Sequence, residues 1–133
     1  MVVLVDTSVW FDYFRSGNQS AELDVLIDLN IIVTNDLILT ELIPFLKLKH
    51  QVKVIQLLRE IKQIPLKIDW DDIIESQWLC LKSGSNGIGI PDLIIAQNAI
   101  KNSCEVFSLD KHFLMLSQIL GIKLYQTQNL SSP

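Results

Sequence analysis

Apolar residues follow two spacings along this chain. Short aliphatic runs, apolar on both faces, alternate with longer segments in which apolar positions recur every three or four residues. The first kind reads as strands buried on both sides, the second as helices with one packed face. Val2-Val3-Leu4-Val5 and Ile31-Ile32-Val33 are the first two strands. Between them the pattern predicts a short helix from Ser8 to Phe14, ended near Gly17, and a second from Ser20 to Leu29. Leu37 to about Lys49 and Val52 to Lys62 form two more helices, the latter stopped by Pro65. Leu66-Lys67-Ile68 reads as a third strand, and Asp71 to Leu81 carries Ile73, Ile74, Trp78 and Leu81 at helical spacing. Beyond a loop from Ser83 to Gly89, Pro91 opens a helix at its first position that runs to Asn102. Glu105 to Leu109 is a fourth strand, Lys111 to Leu120 a helix closed by Gly121, and Ile122 to Tyr125 a fifth strand.

Buried strands that alternate with helices imply a parallel sheet covered on both faces. The expected architecture is α/β, a three-layer α/β/α sandwich with a central parallel sheet of about five strands. No repeat, low-complexity tract or Pro/Gly linker divides the 133 residues. They are expected to form one domain, 1–133, with a loose polar tail from about residue 126.

Composition narrows the class. The chain is 49% hydrophobic and carries a net charge of -4, which excludes disorder as its main state. Its mean hydropathy of +0.32 comes from short apolar runs, none near the roughly 18 residues needed to span a bilayer. Asp6 cuts off the first apolar run and no basic residue precedes it, so that run does not read as a signal peptide. Cys80 and Cys104 form no CxxC and are expected to be buried, reduced thiols of a cytoplasmic protein. The two histidines, His50 and His112, are far apart, and no His/Cys zinc site can be assembled.

In a sheet of this kind ligands bind beyond the carboxyl ends of the strands. Asp6 directly follows the first strand and Asp110 the fourth. Glu41 sits in Leu37-Ile38-Leu39-Thr40-Glu41-Leu42-Ile43, and Asp92 in Ile90-Pro91-Asp92-Leu93-Ile94-Ile95-Ala96. Acids so flanked by apolar residues are expected to be partly buried, which is costly unless they are paired or hold a metal. Singly, each has a plain alternative: a helix cap for Asp6 and Asp110, a dipole partner for Asp92, a helix surface residue for Glu41. Together, with few basic residues beside them, they suit a hard cation, Mg²⁺ or Mn²⁺. Carboxylates around such a cation are common equipment for phosphodiester hydrolysis.

With these residues in view the sequence resembles the PIN-domain ribonucleases, most closely the VapC-like toxins of toxin–antitoxin pairs. Val3-Leu4-Val5-Asp6-Thr7-Ser8-Val9-Trp10 is similar to the family's first acidic motif. Thr40-Glu41-Leu42 is similar to the second, and Ile90-Pro91-Asp92-Leu93-Ile94-Ile95-Ala96 to the third. Val106-Phe107-Ser108-Leu109-Asp110-Lys111-His112-Phe113 is similar to the fourth. The motifs stand in family order and span essentially the whole chain. The resemblance implies a Mg²⁺- or Mn²⁺-dependent endoribonuclease with Asp6, Glu41, Asp92 and Asp110 as metal-binding and catalytic acids. It also implies an RNA substrate, a cognate antitoxin and a homodimer. Ser8 matches a hydroxyl position that supports the first acid; its other reading is a helix cap. Many relatives carry a further acid where this chain has His112. A neutral imidazole is a poor Mg²⁺ ligand, so a four-acid site is expected, with His112 a helix surface residue or, as the alternative, a contact to the scissile phosphate.

Charge is segregated along the chain. Residues 1–40 hold six acids and one base, whereas residues 41–67 hold six bases and two acids. The basic segment is the predicted helical hairpin after Glu41, and Lys47, Lys49 and Lys53 on it are candidates for guiding an RNA backbone. A solvated helix face is the alternative. Among rival classes, haloacid-dehalogenase-like phosphatases need an Asp two residues after the first acid, where this chain has Ser8. Receiver domains need adjacent acids there, which Asp6-Thr7 does not supply. A PIN-like module that holds RNA or protein without cutting would be signalled by loss of one of the four acids, and none is missing.

Overall fold

The computed structural model describes residues 1–126, and the expected loose tail beyond Gln126 lies outside the described residues. Four strands and seven helices are found among the described residues: β1 (Val3–Val5), α1 (Thr7–Arg15), α2 (Glu22–Asp28), β2 (Ile32–Val33), α3 (Asp36–Leu48), α4 (Val52–Glu60), α5 (Trp70–Lys82), α6 (Ile90–Lys101), β3 (Glu105–Phe107), α7 (His112–Leu120) and β4 (Lys123–Leu124). All strand pairs are parallel, in the order β2-β1-β3-β4. Val3 pairs with Ile32 on one side and with Glu105 on the other. Successive residues of β1 face opposite sides of the sheet, and Val3, Leu4 and Val5 are all fully buried. Helices therefore cover both faces. They pack in two groups, α1 with α3 and α4, and α5 with α6 and α7. Cys80 and Cys104 are free, buried thiols, as their surroundings suggested.

The expected third strand at Leu66–Ile68 does not form. The outer edge of β2 is met three residues earlier, at a single bridge between Thr34 and Gln63. Thr34 N–H donates to Lys62 O at 3.0 Å and Ile64 N–H donates to Thr34 O at 2.9 Å. Pro65 follows at once; it has no N–H to continue a ladder, so pairing stops there. Leu66 and Ile68 still pack on the core, as side chains of an irregular segment.

The Pro65 carbonyl joins a buried polar tie instead. Asn35 caps α3 by accepting from Ile38 N–H at 2.9 Å, and its amide donates to Asn98 Oδ1 at 2.8 Å. The Asn98 amide in turn donates to Pro65 O at 2.8 Å. Asn98 is 3% exposed and Asn35 fully buried, so one side chain links the start of α3, the segment after α4 and the end of α6. Asn98→Ala leaves a buried donor and a buried acceptor unpaired, each worth about 1–3 kcal/mol. Urea unfolding should show a loss of ~2–4 kcal/mol; a loss within experimental error would mean that water replaces the tie.

Candidate active site

The carboxyl ends of β1 and β3 lie side by side at the point where the chain switches direction across the sheet. Asp6 N–H donates to Phe107 O at 2.9 Å, which fixes the residue after β1 against the end of β3. The Asp6 side chain caps α1 and is only 4% exposed. Its Oδ2 accepts from the Ser8 hydroxyl at 2.7 Å and from the Ser108 hydroxyl at 2.9 Å, with Ser8 N–H at 3.4 Å. Each serine also accepts from the turn between β3 and α7, Ser8 from Leu109 N–H and Ser108 from Asp110 N–H, both at 3.0 Å. A hydroxyl has one proton to give. Both serine protons therefore point at Asp6, while their lone pairs hold the turn that carries Asp110. The Ser8 hydroxyl thus hydrogen-bonds the first acid, and Asp6, not Ser8, is the residue that caps α1.

Thr7 links the second acid. Its hydroxyl lies 3.3 Å from Asp6 Oδ1 and 3.1 Å from Glu41 Oε1. Glu41 is exposed rather than partly buried. On α3 the buried positions are 38, 39, 42 and 46, and helical spacing turns residue 41 outward despite its apolar neighbours. Asp92 stands in the first turn of α6 and is half-buried. Asp110 Oδ1 accepts from His112 N–H at 2.9 Å, and His112 Nδ1 lies 3.1 Å from Asp92 Oδ2 and 3.5 Å from Asp110 Oδ1. His112 was expected on the helix surface; its ring instead stands between two of the four acids.

The cluster therefore has two halves, Asp6–Thr7–Glu41 and Asp92–His112–Asp110. Burial pushes the Asp92 carboxyl above its ordinary 3.8; the hydrogen bond from His112 pulls it back, and the charges of Asp110 and Asp6 push it up again. Burial raises Glu41 above 4.5, the Thr7 hydroxyl offsets part of this, and Asp6 and Asp92 add to the rise. Partial desolvation acts on the carboxyl end of Glu41 although the residue as a whole is exposed. Each half feels the other. Among the described residues, no Lys or Arg forms an ion pair with any of the four acids, and Asp92 and Asp110 meet only His112. Asp92, Asp110 and His112 each offer a donor atom within 4.8 Å of the others. Such a donor set, with its own charges in mutual repulsion, fits a divalent cation. Lys47, Lys49 and Lys53 are exposed on and between α3 and α4.

Three contributors escaped the sequence pattern: Thr7, Ser108 and the His112 ring. One signal pointed to Ser108. Asp6-Thr7-Ser8 and Ser108-Leu109-Asp110 place a hydroxyl two residues from an acid at the ends of two strands, in opposite order.

The family model described as PIN domain matches residues 3–117. The chain belongs to the PIN-domain family. No curated protein matches it. Among solved structures, this PIN domain is similar in fold to VapBC2 from Rickettsia felis bound to a DNA fragment from their promoter, at 20% identity and a TM-score of 0.75 over 96% of this chain and 100% of that one. DNA-bound VapBC from Salmonella typhimurium matches at 13% identity and a TM-score of 0.74, over 94% of this chain and 97% of that one. A toxin–antitoxin complex from Klebsiella pneumoniae matches at 22% identity and a TM-score of 0.61, over 82% of this chain and 87% of that one. No helix among the described residues is long and apolar enough to cross a membrane.

The raised carboxyls of Asp92 and Glu41 set the sign of a pH effect. With no cation bound, the folded PIN domain takes up protons at a pH where the unfolded chain does not. The resulting stability is fully present below the ordinary values of 3.8 and 4.5 and is lost as pH rises through the higher folded values. In EDTA these two groups should therefore raise the melting temperature as pH falls from neutral toward 5. The double variant Glu41→Gln, Asp92→Asn should melt higher than wild type at pH 7 and respond less to pH. An unchanged pH slope would show that the fold does not feel the repulsion.

Proposed function

We propose that this PIN domain is a divalent-metal-dependent endoribonuclease that serves as the toxin of a toxin–antitoxin pair. One observation supports the reading: hydrogen bonds link Asp6 to Glu41 through Thr7 and Asp92 to Asp110 through His112 near the ends of β1 and β3, and among the described residues no Lys or Arg forms an ion pair with these acids. Family membership and the likeness of fold to VapBC proteins support it. Asp6, Glu41, Asp92 and Asp110 would hold Mg²⁺ or Mn²⁺. Such an ion, when bound, supplies charge neutralisation and water activation at a phosphodiester.

The residues around it divide the remaining work. Asp6 is the fixed member, held on one oxygen by two serine hydroxyls and a backbone N–H. Thr7 orients Glu41, and the β3–α7 turn orients Asp110. No covalent nucleophile is proposed: the Ser8 and Ser108 hydroxyls both donate to Asp6, and attack by water is the reaction the reading assigns. Lys47, Lys49 and Lys53 would meet the RNA backbone, leaving the acids free of counter-charges. By analogy with the toxin–antitoxin proteins of this fold, the partners are a cognate antitoxin and a second copy of the chain. Co-purification and light scattering are the measurements for these.

RNA cleavage assayed with Mg²⁺ or Mn²⁺ against EDTA tests the activity. Asp92→Asn should lower metal-dependent cleavage by at least about a hundredfold, because it removes charge where charge must be balanced. Near-wild-type cleavage by that variant would overturn the site assignment. In a catalytically inactive background, the triple variant Lys47→Glu, Lys49→Glu, Lys53→Glu should bind RNA more weakly and with a flatter salt dependence. The same slope as the parent would make these lysines a solvated face.

A further inference from the structure

The four acids leave one polar side chain of the cluster without a role. His112 is built into the acidic half-site from two directions. Its Nδ1 faces Asp92 Oδ2 at 3.1 Å and Asp110 Oδ1 at 3.5 Å. Its Nε2 edge faces the loop before α6, where a Cβ added at Gly87 would lie only 3.3 Å from Nε2. The loop backbone thus lies close to the ring, which would have to give by a few tenths of an ångström to admit a Cβ at residue 87. The His112 backbone N–H donates to the same Asp110 oxygen that Nδ1 approaches, which fixes the start of α7 beside that carboxylate. An imidazole needed only as helix surface would require none of this.

We infer that His112 is a metal ligand through Nδ1, and that it biases the site toward nitrogen-accepting divalent ions such as Mn²⁺ and Co²⁺ over Mg²⁺. This rests on the metal-dependent reading proposed above and extends it to the choice of ion. A cation with bonds of about 2.1 Å sets neighbouring octahedral ligands roughly 3.0 Å apart. The separations of 3.1 and 3.5 Å around Nδ1 need little adjustment to meet that spacing. A hydrogen bond from Nδ1 to Asp92 and ligation by Nδ1 exclude each other. Ligation requires the neutral tautomer with its proton on Nε2, on the Gly87 side of the ring. Imidazole nitrogen suits first-row transition ions and discriminates against Mg²⁺, which favours oxygen and keeps its waters. The alternative role, a hydrogen bond that merely orients Asp92, predicts no nitrogen at the metal.

Pulsed electron paramagnetic resonance of the full chain loaded with Mn²⁺ separates the two. Directly bound imidazole should give a nitrogen-14 coupling that disappears in His112→Asp and in His112→Asn. Calorimetric titration with Mg²⁺ and Mn²⁺ gives the second readout. Carboxylate sites also prefer Mn²⁺, so the change between variants decides: His112→Asp should lower the ratio of Mn²⁺ to Mg²⁺ affinity by about tenfold. Loss of the coupling with a lowered ratio supports ligation. No coupling in the wild-type protein, no Mn²⁺ binding at millimolar concentration, or an unchanged ratio in folded His112→Asp overturns it. RNA cleavage is scored separately. A coupling without cleavage would keep the ligand and sink the nuclease reading, while cleavage without a coupling would do the reverse.

Discussion

The acidic end of this molecule depends on one buried carboxylate. Asp6 is held almost out of water at the end of a fully buried strand, where an unpartnered charge would be costly. Ser8 contributes its N–H and hydroxyl, Ser108 its hydroxyl, and the first turn of α1 its dipole. The same serines hold the turn after β3, so the interactions that stabilise the charge also place the next acid. Positioning of Asp110 is thus a by-product of solvating Asp6. The two strand ends are pinned by hydroxyls that remain uncharged across the whole range in which the carboxylates titrate.

A second principle governs the other two acids, which come from helices rather than strand ends. The helix bearing Glu41 starts at Asn35, and the helix bearing Asp92 carries Asn98 near its other end. The hydrogen bond between those two side-chain amides sets one helix against the other. It is a neutral, fully buried contact well removed from the charges it helps to align. Burial, with repulsion among the acids added to it, pushes Glu41 and Asp92 upward while the polar tie holds their helices in place. The fold absorbs an electrostatic cost at one end through satisfied amides in its interior.

The order of strands and helices was legible in the sequence because burial on both faces produces continuous aliphatic runs, as in Val3–Val5. Asp6 was legible because it directly follows a buried aliphatic run, and Asp110 because it lies just beyond another, although β3 stops at Phe107 and Asp110 stands in the turn after it. Leu66–Ile68 misled for a physical reason. Its composition suits a strand, but pairing was decided by Pro65, which stops the ladder just beyond Gln63. Glu41 misled because apolar neighbours in sequence are not neighbours on a helix face. His112 was beyond reach of local pattern. Its partner, Asp92, is twenty residues away, and only the packing of α6 beside α7 brings the ring to the carboxylate.

The strand order has a consequence in time. β3, which follows six of the seven helices in the described chain, pairs directly with β1 in the middle of the sheet. Until residues 105–108 have emerged during synthesis, one edge of β1 has no neighbour and Asp6 lacks the Ser108 hydroxyl. Contacts of such long sequence separation form late and slowly. No stretch shorter than residues 6–112 contains the acids and the imidazole together. The cluster therefore needs the whole of residues 6–112: a ribosome stalled before that point holds a polypeptide with helices, an exposed strand edge and no assembled site.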